Sequence, residues 1–331
     1  MTQNPHVDVV VAAFNGGDLL EACVSSVLDS DYSALTITIV DNNSKDGSMQ
    51  TVAERFRHDR RLRIIRNSEN LGFAEGSNVG IRAGKAEFVM FLNQDTRVDR
   101  RCVSEIVGAF RSDDQIGALQ PKIMLYDAPG MIDNSGGFID PYGYAYARGR
   151  TERDLGQYDM GGEIFFSVGS AMAVRRRALD EVGMFDGAFF LLYEDVDLSW
   201  RIRLRGYKVK LVPTATAYHR VSTSLSRRKE LGFIPEWHAR KNRLAMLIKN
   251  YSVQNLVTKI PVVLVLYFLT FAKEILVRRN IDIALTSWTA LLWNLGHLDY
   301  LLRQRSVVQE RIRTVPDSEL TKLCVRRFIA V

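Results

Sequence analysis

Cysteine is scarce in this chain, which has only Cys23, Cys102 and Cys324 among its 331 residues. The three lie far apart and in no metal-binding spacing, so the sequence excludes a disulfide framework and suits a reducing compartment. We also expect no apolar signal segment, because the N-terminal stretch up to Val7 is polar and leads directly into a strand-like run. We therefore expect the N-terminal part of the protein to stay in the cytoplasm.

Acidic residues are scarce in the last third of the chain. Residues 201–331 contain 24 lysines and arginines against 8 aspartates and glutamates, whereas residues 1–200 contain 20 against 30. A basic region next to an acidic one indicates an anionic partner, either nucleic acid or an anionic membrane surface. An ordinary solvated basic surface is the alternative.

Short apolar runs alternate with helical patterns over the first two thirds of the sequence. They predict strands at residues 7–11, 35–40, 62–65, 87–92 and 208–212, and helices at 18–29, 48–56, 73–83, 102–110 and 195–205. This alternation predicts an α/β fold with a mixed, mainly parallel sheet flanked by helices. Residues 126–162 show little periodicity, and we expect them to form a long loop region over the site.

Polar residues stand directly after three of the predicted strands, at Asn15, Asp41 and Asp95. In such sheets ligands gather at the carboxyl ends of strands, so these side chains are expected to cluster there. Each of them taken alone is also ordinary turn chemistry. A carboxylate at Asp95 would suit Mg²⁺ or Mn²⁺ bound together with substrate phosphates.

Three carboxylates, Glu194, Asp195 and Asp197, crowd the start of a predicted helix just after several aromatic residues. Acids at that position complement the helix dipole, which is a purely structural explanation. A cluster of like charges beside apolar groups can also give a carboxylate the pKa of a general base. His219, one of only five histidines, follows the predicted strand at 208–212, and both a structural and a ligand role are open to it.

The chain changes character near residue 226, which divides it into two predicted regions, 1–225 and 226–331. The apolar run 260–272 lies between basic residues and is too short to cross a bilayer, which takes about 20 residues as a helix. A second apolar stretch, 281–302, is interrupted by charged residues. Basic flanks and tryptophans favour amphipathic helices that lie in a membrane interface. The alternatives are a helical hairpin packed on the domain, a dimer interface and a helix that spans the membrane at 281–302, and the sequence carries no signal for the oligomeric state.

Seven motifs in this order resemble the family 2 glycosyltransferases with the GT-A fold, specifically their rhamnosyltransferase-like branch in bacterial polysaccharide assembly. They occupy residues 9–15, 41–48, 70–80, 91–96, 169–172, 193–198 and 218–219. The resemblance implies an inverting transfer of a sugar, with rhamnose as a candidate, from a nucleotide-diphospho-sugar to a hydroxyl of a lipid-linked saccharide. It also implies a divalent metal, Mg²⁺ or Mn²⁺, and a peripheral location on the inner face of the cell membrane.

The resemblance also implies roles for individual residues. Asp195 matches the catalytic base, and Asp95 and His219 match metal ligands. Asn93 replaces the first acid of the Asp-x-Asp motif of the family, as it does in other members of this branch. The donor pocket is expected to include Ala13, Phe14, Asn15, Asp41, Asn70, Gly72, Asn78, Asn93 and Asp95, and the acceptor side Gly169, Ser170, Glu194 and Asp197.

Three rival classes are consistent with parts of the sequence. A sugar nucleotidyltransferase would need a basic, glycine-rich loop after the first strand, and residues 14–18 contain no basic residue. A nucleic-acid-binding protein would explain the basic region, but its basic residues interleave with aliphatic runs and not with a known reading module, so we expect no nucleic-acid partner. A non-catalytic scaffold is disfavoured because every expected acid except the one at Asn93 is present.

Overall fold

A ten-stranded sheet forms the centre of the computed structural model, which describes residues 4–221 and 232–325. Strands β1 to β12 span Val7–Ala13, Leu35–Asp41, Leu62–Arg66, Phe88–Asn93, Thr96–Val98, Ile116–Leu125, Ile132–Asn134, Gly137–Ile139, Ala145–Ala147, Gly162–Glu163, Ala171–Arg175 and Lys208–His219. The strand order of the large sheet is β10-β12-β6-β11-β4-β1-β2-β3, with β5 added beside β12 and β7 beside β6, while β8 and β9 form a separate pair.

Helices flank this sheet and extend beyond it at the C-terminal end. Helices α1 to α11 span Gly17–Leu28, Ser48–Arg55, Gly72–Ala83, Cys102–Ser112, Arg176–Val182, Glu194–Leu204, Ile234–Asn250, Val253–Leu276, Ile281–Gly296, Leu298–Ser306 and Asp317–Thr321. A 3₁₀ turn covers Gly187–Phe189 and a π-helical turn covers Val307–Ile312. The α/β architecture predicted from the alternating pattern is confirmed.

The sheet is mixed and mainly parallel, as predicted. Strand β1 pairs in parallel with β2 and β4, β2 with β3, and β6 with β12, whereas β11 runs antiparallel to both β4 and β6. Along β1, Val9 and Val11 pack into the core on one face of the sheet, and Val10 packs into the core on the other. Because successive side chains of a strand point to opposite faces, a run that is apolar at every position is buried on both sides.

Two parts of the sheet differ from the expectation. Residues 126–162, expected to be a loop, contain the short strands β7 to β10, and strands of two or three residues are too short to show a period. Strand β6 was not predicted, although it lies between β12 and β11. It contains Pro121, which normally argues against a central strand. Here Pro121 pairs with Val212, where the register between β12 and β6 shifts.

The C-terminal helices also differ from the prediction. The apolar run 260–272 belongs to α8, which spans 24 residues and places Pro261 inside the helix. Within the ranges 4–221 and 232–325, α8 is the one helix that is long and apolar enough to cross a membrane, and it is compatible with membrane association. The stretch 281–302 is divided at His297 between α9 and α10. The predicted boundary near residue 226 falls outside the described residues.

Helix α7 joins the C-terminal helices to the α/β core. Leu244, Met246 and Leu247 of α7 are buried in the same apolar cluster as Trp200 of α6. The indole of Trp200 meets the ring of Tyr251 edge to face, with 4.8 Å between ring centroids. Burial of this kind stabilises roughly in proportion to the apolar area removed from water, so α7 contributes to the core that supports α6.

Candidate active site

The register of one short strand brings Asp95 and His219 together. Asp95 lies in the turn between β4 and β5, and Thr96, the next residue, pairs with His219 at the end of β12. The backbone amide of Arg220 donates a hydrogen bond to the carbonyl of Asp95 at 3.0 Å. Two loops that are far apart in the sequence are therefore fixed side by side at one edge of the sheet.

His219 lies between two carboxylates. Its Nδ1 atom is 2.9 Å from Oδ2 of Asp133, and its Nε2 atom is 3.5 Å from Oδ1 of Asp95. Burial opposes the charged imidazolium, but the hydrogen bond to Asp133, the proximity of Asp95 and the charges of both acids raise the pKa of His219 to about 9. Asp133 is not among the predicted site residues, because it lies in the region that is expected to form a loop.

The donor set at this position fits a divalent cation. The Nε2 atom of His219 is buried and has no hydrogen-bond partner among the described residues, and it faces the carboxylate of Asp95. The hydrogen bond from His219 to Asp133 is the arrangement that orients a metal-ligating imidazole. Among the described residues no group of three or more His, Cys, Asp or Glu side chains is arranged to hold a metal ion. Two protein ligands suit an ion that completes its coordination with substrate phosphates and water.

A strained segment precedes Asp195. Phe190, Leu192 and Tyr193 have φ angles of 62°, 66° and 70°, a left-handed backbone that non-glycine residues seldom adopt. The carbonyl of Phe190 accepts hydrogen bonds from the backbone amides of Phe73 and Ala74. Strain of this kind persists only where surrounding contacts hold it, and it is concentrated at functional sites.

Asn242 holds the same segment from the opposite side. Its side-chain amide donates hydrogen bonds to the carbonyls of Phe189, Leu191 and Leu192 at 2.7–2.9 Å. Asn242 belongs to α7, so the C-terminal helices help to position the start of α6. Asn242 is not among the predicted site residues, because a single asparagine in a helix carries no signal for a contact with a distant loop.

Two carboxylates begin α6. Asp195 accepts hydrogen bonds from the backbone amide of Gly169 through Oδ2 and from that of Val196 through Oδ1, both at 2.8 Å. Burial raises the pKa of Asp195 despite these bonds. Burial, with a smaller contribution from the negative charge of Asp195, raises the pKa of Glu194 well above its usual value. A carboxylate with a raised pKa at the surface of a cavity is suited to accept a proton near neutral pH.

One cavity of about 310 Å³ collects residues from both halves of the predicted site. Asp195 and His219 line it, and Asp95 adjoins it through its contact with His219. The other lining residues are Phe73, Asn93, Asp133, Asn134, Arg150, Val168, Gly169, Ser170, Leu192, Tyr193, Glu194 and Val221. The predicted base, the predicted ligand His219 and the predicted acceptor residues Gly169, Ser170 and Glu194 are thus neighbours.

The loops after β1 and β2 are tied to each other. The amide of Asn15 donates to Oγ of Ser44, and the side chain of Asn15 accepts from the amide of Lys45. Asp41 is buried and accepts from the amide of Ser44 at 2.8 Å. Of the two residues before Asn15, Ala13 is buried and Phe14 is exposed. These hydrogen bonds join the two loops at the place where the resemblance puts the nucleotide.

Three residues predicted for the donor pocket have local structural partners. The side chain of Asn70 accepts from the amide of Gly72. A Cβ atom at Gly72 would lie 2.5 Å from the carbonyl oxygen of Phe190, so only glycine allows this close approach. The buried side chain of Asn78 exchanges hydrogen bonds with the amide and the carbonyl of Phe185. These contacts support the segment before α6, and the nucleotide-binding roles of the three residues stay predictions.

Asp197 lies away from the cavity. It has no exposed surface and contacts Arg201, Lys249 and Asn250 through hydrogen bonds of 2.9–3.2 Å. Lys249 also contacts Asp186 at 2.5 Å. This position gives no support to the predicted acceptor role of Asp197. It favours a role in packing α6 against α7, because buried charges must be paired.

The model of glycosyl transferase family 2 matches residues 8–183, and the model of glycosyl transferase family 21 matches residues 151–316. The chain is 25% identical over 219 residues to a poly-beta-1,6-N-acetyl-D-glucosamine synthase of Staphylococcus aureus (strain MSSA476), which is 66% of this chain and 51% of that protein. The chain therefore spans about half the length of that relative.

Two solved structures share the fold. One is the mannosyltransferase PcManGT of Pyrobaculum calidifontis in complex with GDP-Man and Mn²⁺, at a TM-score of 0.54 and 16% identity, covering 97% of this chain and 84% of that one. The other is S. aureus TarS 1–349, at a TM-score of 0.52 and 14% identity, covering 96% and 83%. From the family model that covers its N-terminal half, which contains Asp41 and Asp95, the chain belongs to glycosyl transferase family 2.

Proposed function

We propose that the chain is an inverting glycosyltransferase that moves a sugar from a nucleotide-diphospho-sugar to a hydroxyl of a saccharide acceptor. The observation that carries this proposal is the shared cavity, which Asp195 and His219 both line, with Asp95 lying 3.5 Å from Nε2 of His219. A base for the incoming hydroxyl and ligands for a cation beside the leaving diphosphate are the two elements that a single displacement requires.

Asp95 and His219 are the residues that we propose as ligands of Mg²⁺ or Mn²⁺. Such an ion, when bound, stabilises the negative charge that develops on the departing diphosphate. Asp133 would hold the His219 ring in place through the hydrogen bond to Nδ1. Asn93 lines the cavity beside them and offers an amide to the ribose or to water.

Asp195 would accept the proton of the acceptor hydroxyl. As the acceptor oxygen bonds to the anomeric carbon, the bond from that carbon to the diphosphate oxygen breaks, and the nucleoside diphosphate leaves with the electron pair. Attack opposite the leaving group inverts the anomeric configuration. The amide of Gly169, which donates to Oδ2 of Asp195, keeps the carboxylate oriented towards the cavity.

A lipid-linked acceptor is supported by the surfaces of α8 and α9. Helix α8 buries Val263, Tyr267 and Glu274 on one face and exposes Val265 and Phe268 on another. Its first turn contacts Asp317, since Asp317 accepts hydrogen bonds from Ser252 and Asn255. Contacts along the length of the helix favour an orientation in the plane of the interface, with the exposed apolar face in the lipid. We place the protein on the inner face of the cell membrane, acting in polysaccharide synthesis.

The resemblance proposes rhamnose from a dTDP donor. The relatives named above suggest two other sugars, N-acetylglucosamine and mannose. Thermal-shift measurements with Mn²⁺ and dTDP-rhamnose, UDP-N-acetylglucosamine or GDP-mannose would distinguish them, because a donor that binds the folded state raises the unfolding temperature. We expect one of the three donors to raise the unfolding temperature. Sugar transfer from that donor should release its nucleoside diphosphate. Release of pyrophosphate would instead indicate a nucleotidyltransferase, and no shift with any donor would contradict the proposal.

A further inference from the structure

A second cavity, of about 330 Å³, lies between α7, α8 and α9. Helix α7 contributes Arg240 and Arg243, and α8 contributes Tyr267 and Lys273. The remaining lining residues are Tyr144, Tyr193, Glu236, Ala239, Leu266, Thr270, Glu274, Arg278 and Ser287. Tyr193 also lines the cavity that contains Asp195, so the two spaces share one side chain.

Arg243 is a buried cation with unused donors. The residue is 3% exposed, and its Nε and Nη1 atoms have no hydrogen-bond partner among the described residues. Its guanidinium lies 3.6 Å from the ring centroid of Tyr144 and 5.0 Å from that of Tyr267. Aromatic faces attract the charge, but they leave the Nε and Nη1 donors unsatisfied, and a buried charge without full pairing is costly. An anion in the cavity would pair with it.

The other charges of this cavity differ in how they are used. Arg240 donates from Nη1 to the carbonyl of Ile283 and to Oγ of Ser287. Arg278 donates to Oε1 of Glu274, so this arginine is already paired, while Oε2 of Glu274 has no partner among the described residues. Lys273 makes no ion pair within the described part of the chain. Arg243 and Lys273 are therefore the two cations of the cavity that remain available to a bound group.

The position of the cavity along α8 suggests what that group belongs to. The lining residues of α8 lie in its second half and lead to Lys273 and Arg278, at the polar end of an apolar helix. On the outer face of α8, Val265 and Phe268 are 56% and 57% exposed. A ligand with an aliphatic tail could lie along that face while an anionic headgroup occupies the cavity, as at the headgroup level of a membrane.

We infer that this cavity binds the diphosphate of a lipid-linked acceptor, with Arg243 and Lys273 as its principal donors. The inference rests on the proposed function and specifies its acceptor as a saccharide on a prenyl diphosphate. Tyr193, shared by the two cavities, would lie between the diphosphate and Asp195. Because the cavity would hold the diphosphate end of the acceptor, it would determine which sugar hydroxyl reaches Asp195.

The test measures equilibrium binding of farnesyl diphosphate to the full-length protein in detergent, with farnesol and inorganic diphosphate as comparison ligands. The variants are Lys273→Gln, Arg243→Lys and the control Arg279→Gln, which removes an exposed charge of the same chain segment that does not line the cavity. Binding of the donor sugar nucleotide is measured in parallel for every variant.

We expect Lys273→Gln and Arg243→Lys to weaken binding of farnesyl diphosphate about tenfold and Arg279→Gln to leave it unchanged, since a hydrogen bond to a charged group is worth roughly one such factor. Donor binding should be unaffected in all three. If Arg279→Gln weakened binding of farnesyl diphosphate by the same factor, the proposed site would be wrong. Equal affinity for inorganic diphosphate would overturn the lipid assignment. If the wild-type protein bound no donor sugar nucleotide, the proposed function would be contradicted, whatever the result with farnesyl diphosphate.

Discussion

The Nε2 atom of His219 lies 3.5 Å from Oδ1 of Asp95, while Nδ1 of the same ring lies 2.9 Å from Oδ2 of Asp133. The pairing of Thr96 with His219 creates this relationship, because it fixes the end of β12 beside the turn that carries Asp95. The imidazole is thus held by one carboxylate and directed at another. A ring oriented in this way can share a cation with Asp95.

Removal of the orienting carboxylate should weaken metal binding without removing a ligand. We expect Asp133→Asn to lower the affinity for Mn²⁺ about 10- to 100-fold, because His219 would lose its fixed orientation. Isothermal titration with Mn²⁺ measures this directly. Asp159→Asn, which changes an exposed acid outside the cavity, serves as the control. Equal affinities for Mn²⁺ in the two variants would argue against the metal site.

Asp195→Asn should lower the rate of transfer strongly and leave donor binding nearly intact. General-base catalysis contributes about 10²- to 10⁴-fold, so the rate of the chemical step should fall by that factor. The measurements are single-turnover transfer and donor affinity. Asp282→Asn, an exposed acid in the first turn of α9, is the matched control. Near-normal turnover of Asp195→Asn would remove the assignment of the base.

The rate of transfer should depend on pH through Asp195. Burial raises the pKa of this carboxyl above that of an exposed aspartate, and only the deprotonated form can accept a proton. Activity should therefore be retained above the raised pKa and lost as pH falls through it, at a higher pH than an exposed aspartate would give. A profile of kcat/KM against pH measures this. If the Asp195→Asn variant lost activity at low pH with the same profile as the wild type, the titrating group would be a residue other than Asp195.

Asp197→Ala should destabilise the fold. The substitution would remove a carboxylate that pairs with Lys249 and Arg201 in the interior. Breaking a buried pair lowers the free energy of unfolding by about 3–5 kcal/mol. Urea unfolding measures this loss. Glu319→Ala removes the partner of Lys322 in an exposed pair and should cost less than about 1 kcal/mol. If Asp197→Ala kept full stability and lost activity, the acceptor role predicted from the sequence would be favoured over packing.

The exposed face of α8 should control membrane binding. We expect Phe268→Glu to reduce co-sedimentation with anionic liposomes, because it places a charge on the face proposed to contact lipid. Leu155→Glu changes an apolar residue that is 79% exposed elsewhere on the surface and should bind as the wild type does. Unchanged binding of Phe268→Glu would place the membrane contact on another surface.

Local patterns predicted the first half of the fold well because its strands are apolar at nearly every position. Strand β1 and helix α3 were predicted to within two residues at each end. The patterns failed at β6, where Pro121 interrupts the run, and at β7 to β10, which are too short to show alternation. The patterns also predicted too short an apolar segment at α8, because the helix continues through polar residues on both sides of the run 260–272.

The sequence by itself determined the alternation of strands and helices, the polar residues at the strand ends and the acidic start of α6, since each depends on neighbours along the chain. Only the tertiary structure decided which of these residues share a cavity. The contacts from His219 to Asp133, from Asn242 to the segment before α6 and from Asp197 to Lys249 join residues 50 or more positions apart. Strand register and helix packing create such contacts, and neither is written in any single stretch of sequence.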